Sequence, residues 1–163
     1  TDVEFAGLPC ELDPTVTDND EFDLFSISGG NWSTGTAQSD RWCEGSYRYR
    51  SGTQSLSTAT WQLKIPESGN YRISIWYSAA NNRATNSPFT VNHANGEFTT
   101  RINQQINGGQ WIELGEFEFN AGVGTVSLTN DIGGSSDLVL ADAVRAEFLG
   151  PLSIDVNDQW LFD

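Results

Sequence analysis

Thr58–Tyr77 reads TATWQLKIPESGNYRISIWY, and its rhythm decides the fold. Ala59, Trp61, Leu63 and Ile65 alternate with Thr58, Thr60, Gln62 and Lys64, the period-two pattern of a strand with one face buried. Pro66 closes that strand, since proline cannot donate to a ladder. Glu67-Ser68-Gly69-Asn70 turns the chain, and Tyr71, Ile73, Ile75 and Tyr77 carry a second apolar face. Working outward, Phe89, Val91 and His93 alternate up to Ala94-Asn95-Gly96, a hairpin signal. Phe98, Thr100, Ile102 and Gln104 then lead to a turn at Asn107-Gly108-Gly109. Further strands are expected over Trp111–Leu114, Glu116–Phe119, Thr125–Thr129 and Leu138–Phe148. No segment keeps a helical apolar period over several turns. Short strands separated by turn signals predict an all-β chain, an antiparallel sandwich or barrel.

A chain of 163 residues with 37% hydrophobic content supports one domain with one sizeable core. The reading divides it into an acidic lead-in over 1–15, a sandwich over 16–149, and a tail or edge strand over 150–163 that carries Trp160 and Phe162. Thr1 follows no methionine and no apolar signal segment, so the chain reads as a processed or excised piece of something larger. No apolar run is long enough for a transmembrane helix. Acids outnumber bases 22 to 8, a net charge of −14 that repels phosphate backbones and anionic lipid. Nucleic acid and membrane partners are therefore not expected. Eight of those acids lie within Asp2–Asp23, which reads as a solvated, solubilising segment.

The two cysteines, Cys10 and Cys43, cannot make a zinc site with a single histidine. An even count in a secreted-looking chain predicts a disulfide between them, which stabilises by about 3–4 kcal/mol in the loop-entropy model. It would staple the acidic arm to the loop around Trp42.

Asp142 stands out, because alternation over Leu138–Phe148 places it on the same face as Leu138, Leu140, Val144, Ala146 and Phe148. An unpaired carboxylate there is costly, so it needs a partner. Backbone N–H groups or an arginine, with Arg83 the first candidate, would serve. So would a structural Ca²⁺, for which Asp18, Asn19 and Asp20 offer further hard oxygens.

Gln38–Arg50, QSDRWCEGSYRYR, gathers Arg41, Arg48 and Arg50 beside Trp42, Tyr47 and Tyr49. Rings stack on sugar C–H faces while guanidinium groups donate to hydroxyls, so this cluster is the leading saccharide candidate, with Trp42 at its centre. Alternation equally allows Tyr47 and Tyr49 to be buried. Amides including Asn81, Asn82, Asn103, Gln104, Gln105 and Asn107 both donate and accept, which suits polyhydroxylated ligands. Several of them would instead satisfy loop backbones. One histidine leaves no Ser-His-Asp set, and Glu113, Glu116 and Glu118 alternate outward rather than facing each other. A catalytic role is not expected.

With those residues on the page, the chain resembles the golvesin / xanthan lyase carbohydrate-binding-like domain family. The resemblance lies in NWSTG (Asn31–Gly35), ATWQLKIPESGNYRISIWY (Ala59–Tyr77), NRATNSPFTVNHANG (Asn82–Gly96), INQQINGGQWIELGEFEFNAG (Ile102–Gly122) and LADAVRAEF (Leu140–Phe148). It implies a galactose-binding-like, jelly-roll β-sandwich that serves as a non-catalytic accessory module of secreted polysaccharide-degrading enzymes. Trp32, Trp61, Asn82, Arg83, Gln104, Trp111 and Asp142 match its pattern and are read mostly as fold-defining. The departures are the cysteine pair, the Arg/Trp/Tyr stretch around Trp42 and the acidic ends, and ligand preference is expected there. The resulting expectation is an extracellular module that binds a polysaccharide, with a neutral galactan such as agarose as the candidate glycan, on behalf of an appended catalytic domain. The rival expectation is a structural module that packs on a neighbouring domain.

Overall fold

The alternation at Thr58–Tyr77 yields β5 (Ser57–Gln62) and β6 (Gly69–Trp76), in a computed structural model that describes residues 9–152. β5 buries Ser57, Ala59 and Trp61, and β6 buries Tyr71, Ile73 and Ile75, as the period-two pattern requires. The two strands do not pair. The connection over 63–68 carries the chain from one sheet to the other, so both apolar faces meet in one core.

The remaining strands are β1 (Val16–Asp18), β2 (Phe25–Gly29), β3 (Ser33–Gly35), β4 (Tyr47–Ser51), β7 (Ser87–His93), β8 (Gly96–Ile102), β9 (Ile112–Phe119), β10 (Thr125–Thr129), β11 (Leu138–Ala141) and β12 (Ala143–Gly150). One sheet runs β1-β12-β6-β9 and a second runs β2-β5-β10-β7-β8, with every pairing antiparallel. A small third sheet, β11-β4-β3, adds Tyr47, Val139, Leu140 and Ala141 to the same core. Trp61, Tyr71, Phe89 and Phe119 lie fully buried between the sheets. The all-β antiparallel sandwich expected from the sequence is the fold observed.

Two strand expectations are corrected. Trp111–Leu114 and Glu116–Phe119 form one strand, β9, whose register against β6 shifts opposite Ile73/Ser74. Gly115, at φ 154°, makes that bulge possible, and the Phe117 ring folds over it. Leu138–Phe148 is two strands broken at Asp142, with β11 in the small sheet and β12 in the four-stranded sheet. The hairpin at Ala94–Asn95 forms as expected, with His93 opposite Gly96.

Cys10 and Cys43 are disulfide-bonded, with Cα atoms 5.6 Å apart. Most of the acidic lead-in (residues 1–8) and of the tail (residues 153–163), including Trp160 and Phe162, lies outside the described residues.

Candidate functional site

Register places four strand ends on one rim of the four-stranded sheet. Asp18 lies opposite Ala143, Ala143 opposite Trp76, and Ile75 opposite Ile112. The loops over 36–46, 77–86 and 103–111 gather at this rim.

Asp142 is its organising residue. It is 1% exposed, and its main-chain carbonyl accepts from the Trp61 indole at 3.2 Å and from the Asn19 amide N–H at 2.9 Å. One carboxylate oxygen accepts the Trp42 backbone N–H at 2.9 Å. Asp18, 4% exposed, sits beside it. Burial, then the neighbouring carboxyls Asp20 and Asp142, push Asp18 up to about 9. Burial likewise pushes Asp142 up to about 7, against the lowering effect of the Trp42 N–H and Asp18 hydrogen bonds. The Oδ2 atoms of Asp18 and Asp20 converge, each 3.6 Å from where a side chain on Gly45 would begin.

Asp18 and Asp20 face a cleft of about 430 Å³ lined also by Glu11, Glu21, Trp42, Cys43 and Gly45. No lysine or arginine lines it, although Lys64 pairs with Glu21 at 3.0 Å. Hard carboxylate oxygens without histidine suit Ca²⁺ rather than Zn²⁺; among the described residues, the group of three ligand-type side chains within mutual ligand distance is Cys10, Glu11 and Cys43, and its two sulfurs are taken by the disulfide. Asn19 serves differently. With its amide nitrogen turned to donate to Asp18 Oδ1, Ser46 O and Asp142 O, and its oxygen accepting from Ser46 Oγ, it braces the acids.

Arg83 is not the partner of Asp142, contrary to the sequence expectation. Its guanidinium donates to Ser78 O at 3.2 Å and Asn82 Oδ1 at 2.6 Å. Burial pulls its pKa down, opposed by Tyr47, Tyr49 and Asp40, which lie within electrostatic reach. The reason is topological: Asp142 sits where β11 ends and β12 begins, whereas Arg83 bridges to Leu138 at the other end of β11.

The saccharide candidates divide. Trp42, 8% exposed, packs on Val16 and Ala143, so it is no open platform. Tyr47, 5% exposed, joins the main core with its ring over Gly35. Arg41 is taken up by the carbonyls of Gln38, Glu44 and Gly45. Arg48 lies half-buried with its guanidinium 5.9 Å from the Phe25 ring centre. Tyr49 remains half-buried, and Asn81 and Asn82 are exposed. Arg50 is buried, donating to Ser55 and Asn31.

The rim also holds residues that the sequence reading did not single out as ligand contacts. Trp76 and Trp111 are half-buried, 5.3 Å apart edge to face, and Trp111 lies 6.4 Å from Trp42. The Trp76 indole donates to Asp40 O at 2.8 Å, and the Arg145 guanidinium lies 4.7 Å from the Trp111 ring centre. The signal for Trp76 was present: Tyr71, Ile73 and Ile75 face inward, so the intervening position faces out. Beside the tryptophans, Gln105 donates to Asn81 O at 3.2 Å and to Arg83 O at 2.9 Å, and Ile106 is 53% exposed.

Comparison with known proteins places the chain and its fold. Xanthan lyase from Bacillus sp. (strain GL1) is 31% identical over 142 residues, covering 86% of this chain and 15% of that protein. The structure of a Paenibacillus xanthan lyase superposes with a TM-score of 0.75 at 32% identity, over 83% of this chain and 13% of that one. This chain thus spans less than a sixth of either relative. A family 35 carbohydrate binding module from Clostridium thermocellum shares the fold, with a TM-score of 0.54 at 18% identity, covering 81% of this chain and 97% of that one. Residues 15–148 match the family model described as the Golvesin C-terminal domain. From its sequence and its sandwich alike, the chain belongs to the Golvesin C-terminal domain family.

Proposed function

We propose that this domain is a non-catalytic carbohydrate-binding module that anchors an appended, exported polysaccharide-degrading enzyme to its glycan. The observation that carries this reading is the convergence, on one rim, of the half-open Trp76–Trp111 pair with the exposed amides of Asn81, Asn82 and Asn107. Ring faces hold pyranose C–H surfaces, and amides donate to and accept from hydroxyls. The scale of the matches supports the same reading. The fold corresponds to nearly all of a carbohydrate binding module but to 13% of a polysaccharide lyase, as a separable attachment would. Tethering raises effective concentration, so micromolar to millimolar affinity suffices. The net charge of −14 favours a neutral glycan, a galactan such as agarose among them.

A structural Ca²⁺ belongs to the proposal, held by Asp18, Asp20 and Asp142, with Asn19 as a brace. The ion would neutralise the buried acids and fix Trp42, whose N–H rests on Asp142 and whose ring abuts Trp111.

Affinity gels containing agarose, xanthan, alginate, pectin or xylan test the reading, run with calcium or EDTA. Retardation by at least one glycan, lost in Trp76→Ala and reduced in Asn81→Ala, is expected. A chain that migrates unretarded through all five would refute glycan binding and favour a domain-packing role.

A further inference from the structure

We infer that the rim takes a single terminal sugar, the tip of a chain or of a side branch, rather than a run of residues from the middle of a chain. This deepens the reading of the rim as a glycan site and rests on it.

A site that grips an extended chain by stacking needs several ring faces in line, one for each sugar it holds. The two rings here do not share that work. Trp76 and Trp111 meet edge to face, with centroids 5.3 Å apart and planes at 74°. They form a corner, and no flat chain lies on both. Trp111 is also walled in: the Arg145 guanidinium sits 4.7 Å from its ring centre, and the Trp42 ring lies 6.4 Å away. Stacking therefore falls to Trp76, whose plane is fixed by the hydrogen bond from its indole to Asp40 O.

Among the described residues, no second platform continues the line. On the outer face beside Trp76, β6 carries Arg72, β12 carries Arg145 and Glu147, and β9 carries Glu113 and Glu116. These charges neutralise one another. Arg72 pairs with Glu113 at 3.2 Å and with Glu116 at 3.1 Å, and Arg145 pairs with Glu147 at 3.1 Å. Phe117, further along β9, lies opposite Tyr71, which is 1% exposed in the core, so its ring is on the other face of the sheet from Trp76.

In the other direction the loops close the corner. The Gly109 N–H donates to Tyr77 O at 2.8 Å, Gly108 packs on the Ala79 backbone, and Asp40 abuts Gly109. The same loops expose Asp40, Asn81, Asn107 and Gln110. A terminal sugar keeps the hydroxyl that a mid-chain sugar gives up to its glycosidic bond. Amides that donate and accept, beside a carboxylate that accepts, suit such free neighbouring hydroxyls.

Calorimetry on the whole chain tests this, with oligosaccharides graded from disaccharide to hexasaccharide and prepared from agarose, xanthan, alginate, pectin and xylan. For at least one glycan the disaccharide should bind, and molar affinity should stay within threefold up to the hexasaccharide, because lengthening the chain adds no second tip. A rise of threefold or more with length overturns the single-tip inference and leaves glycan binding standing. So does retardation in a polysaccharide gel by a glycan whose oligosaccharides do not bind at all. A chain that binds no oligosaccharide and is retarded by no polysaccharide overturns both readings. The series uses the unsubstituted chain, so its outcome does not depend on whether a variant folds.

Discussion

A carboxylate 1% exposed in a chain this acidic must be held by donors or by a cation, and among the described residues the backbone N–H that Asp142 accepts through its side chain is that of Trp42. Gln104 solves the opposite problem. Fully buried, its amide donates to Leu140 O at 3.0 Å and accepts from Leu140 N and the Ser87 hydroxyl, standing in for a strand partner of β11. Gln104→Ala leaves the Leu140 amide group unpaired in the core and should cost about 2–4 kcal/mol, measured by urea unfolding. Asp142→Ala removes the acceptor for Trp42 but also relieves Asp18 of a like charge. In EDTA it should therefore cost less than Gln104→Ala, and added calcium should no longer raise its melting temperature.

Strands here are set by alternation, but their breaks are set by single residues. β9 continues through Glu113–Glu116 because Gly115 absorbs the bulge at a backbone angle that side chains avoid, under the Phe117 ring. A Cβ at Gly115 would lie 2.8 Å from that ring, so Gly115→Ala should destabilise by about 1–3 kcal/mol. A thermal melt reads the loss, and Phe117→Ala should lessen it in the double variant. The hairpin joining β7 and β8 leaves β8 as an edge, with Phe98 40% exposed beside Phe117.

Across the whole molecule, the acidic cleft ties stability to pH. Asp18 and Asp142 hold their protons up to about 9 and about 7 in the folded chain. In the unfolded chain such carboxyls titrate near about 4. Protonation therefore favours the folded state: the contribution is full below about pH 4 and drains as pH climbs through the folded values. In EDTA the melting temperature should fall between pH 5 and pH 9. Asp18→Asn should flatten that slope, and, on the proposed calcium reading, millimolar calcium should lift the alkaline end by mass action. A slope identical in wild type and Asp18→Asn would place the pH dependence elsewhere in the charge of −14.

Period-two patterning at β5, β6, β7 and β10, and the turn residues between them, determined an all-β antiparallel fold, sandwich or barrel, without reference to any contact, because burial of one face follows directly from alternation; the family resemblance narrowed it to a sandwich. The cysteine pairing was equally legible, since the chain offers only two sulfurs. Burial near the rim was not. Whether Trp42 and Tyr47 face solvent depends on which elements cover them, and those elements are distant in sequence: Trp42 lies under Val16, Ala143 and Trp111, and Tyr47 over Gly35. Asp142 announced itself as a carboxylate in need of a partner, but only the folded chain could bring Asp18 to it and carry Arg83 away, because the break between β11 and β12 sends those two strands into different sheets.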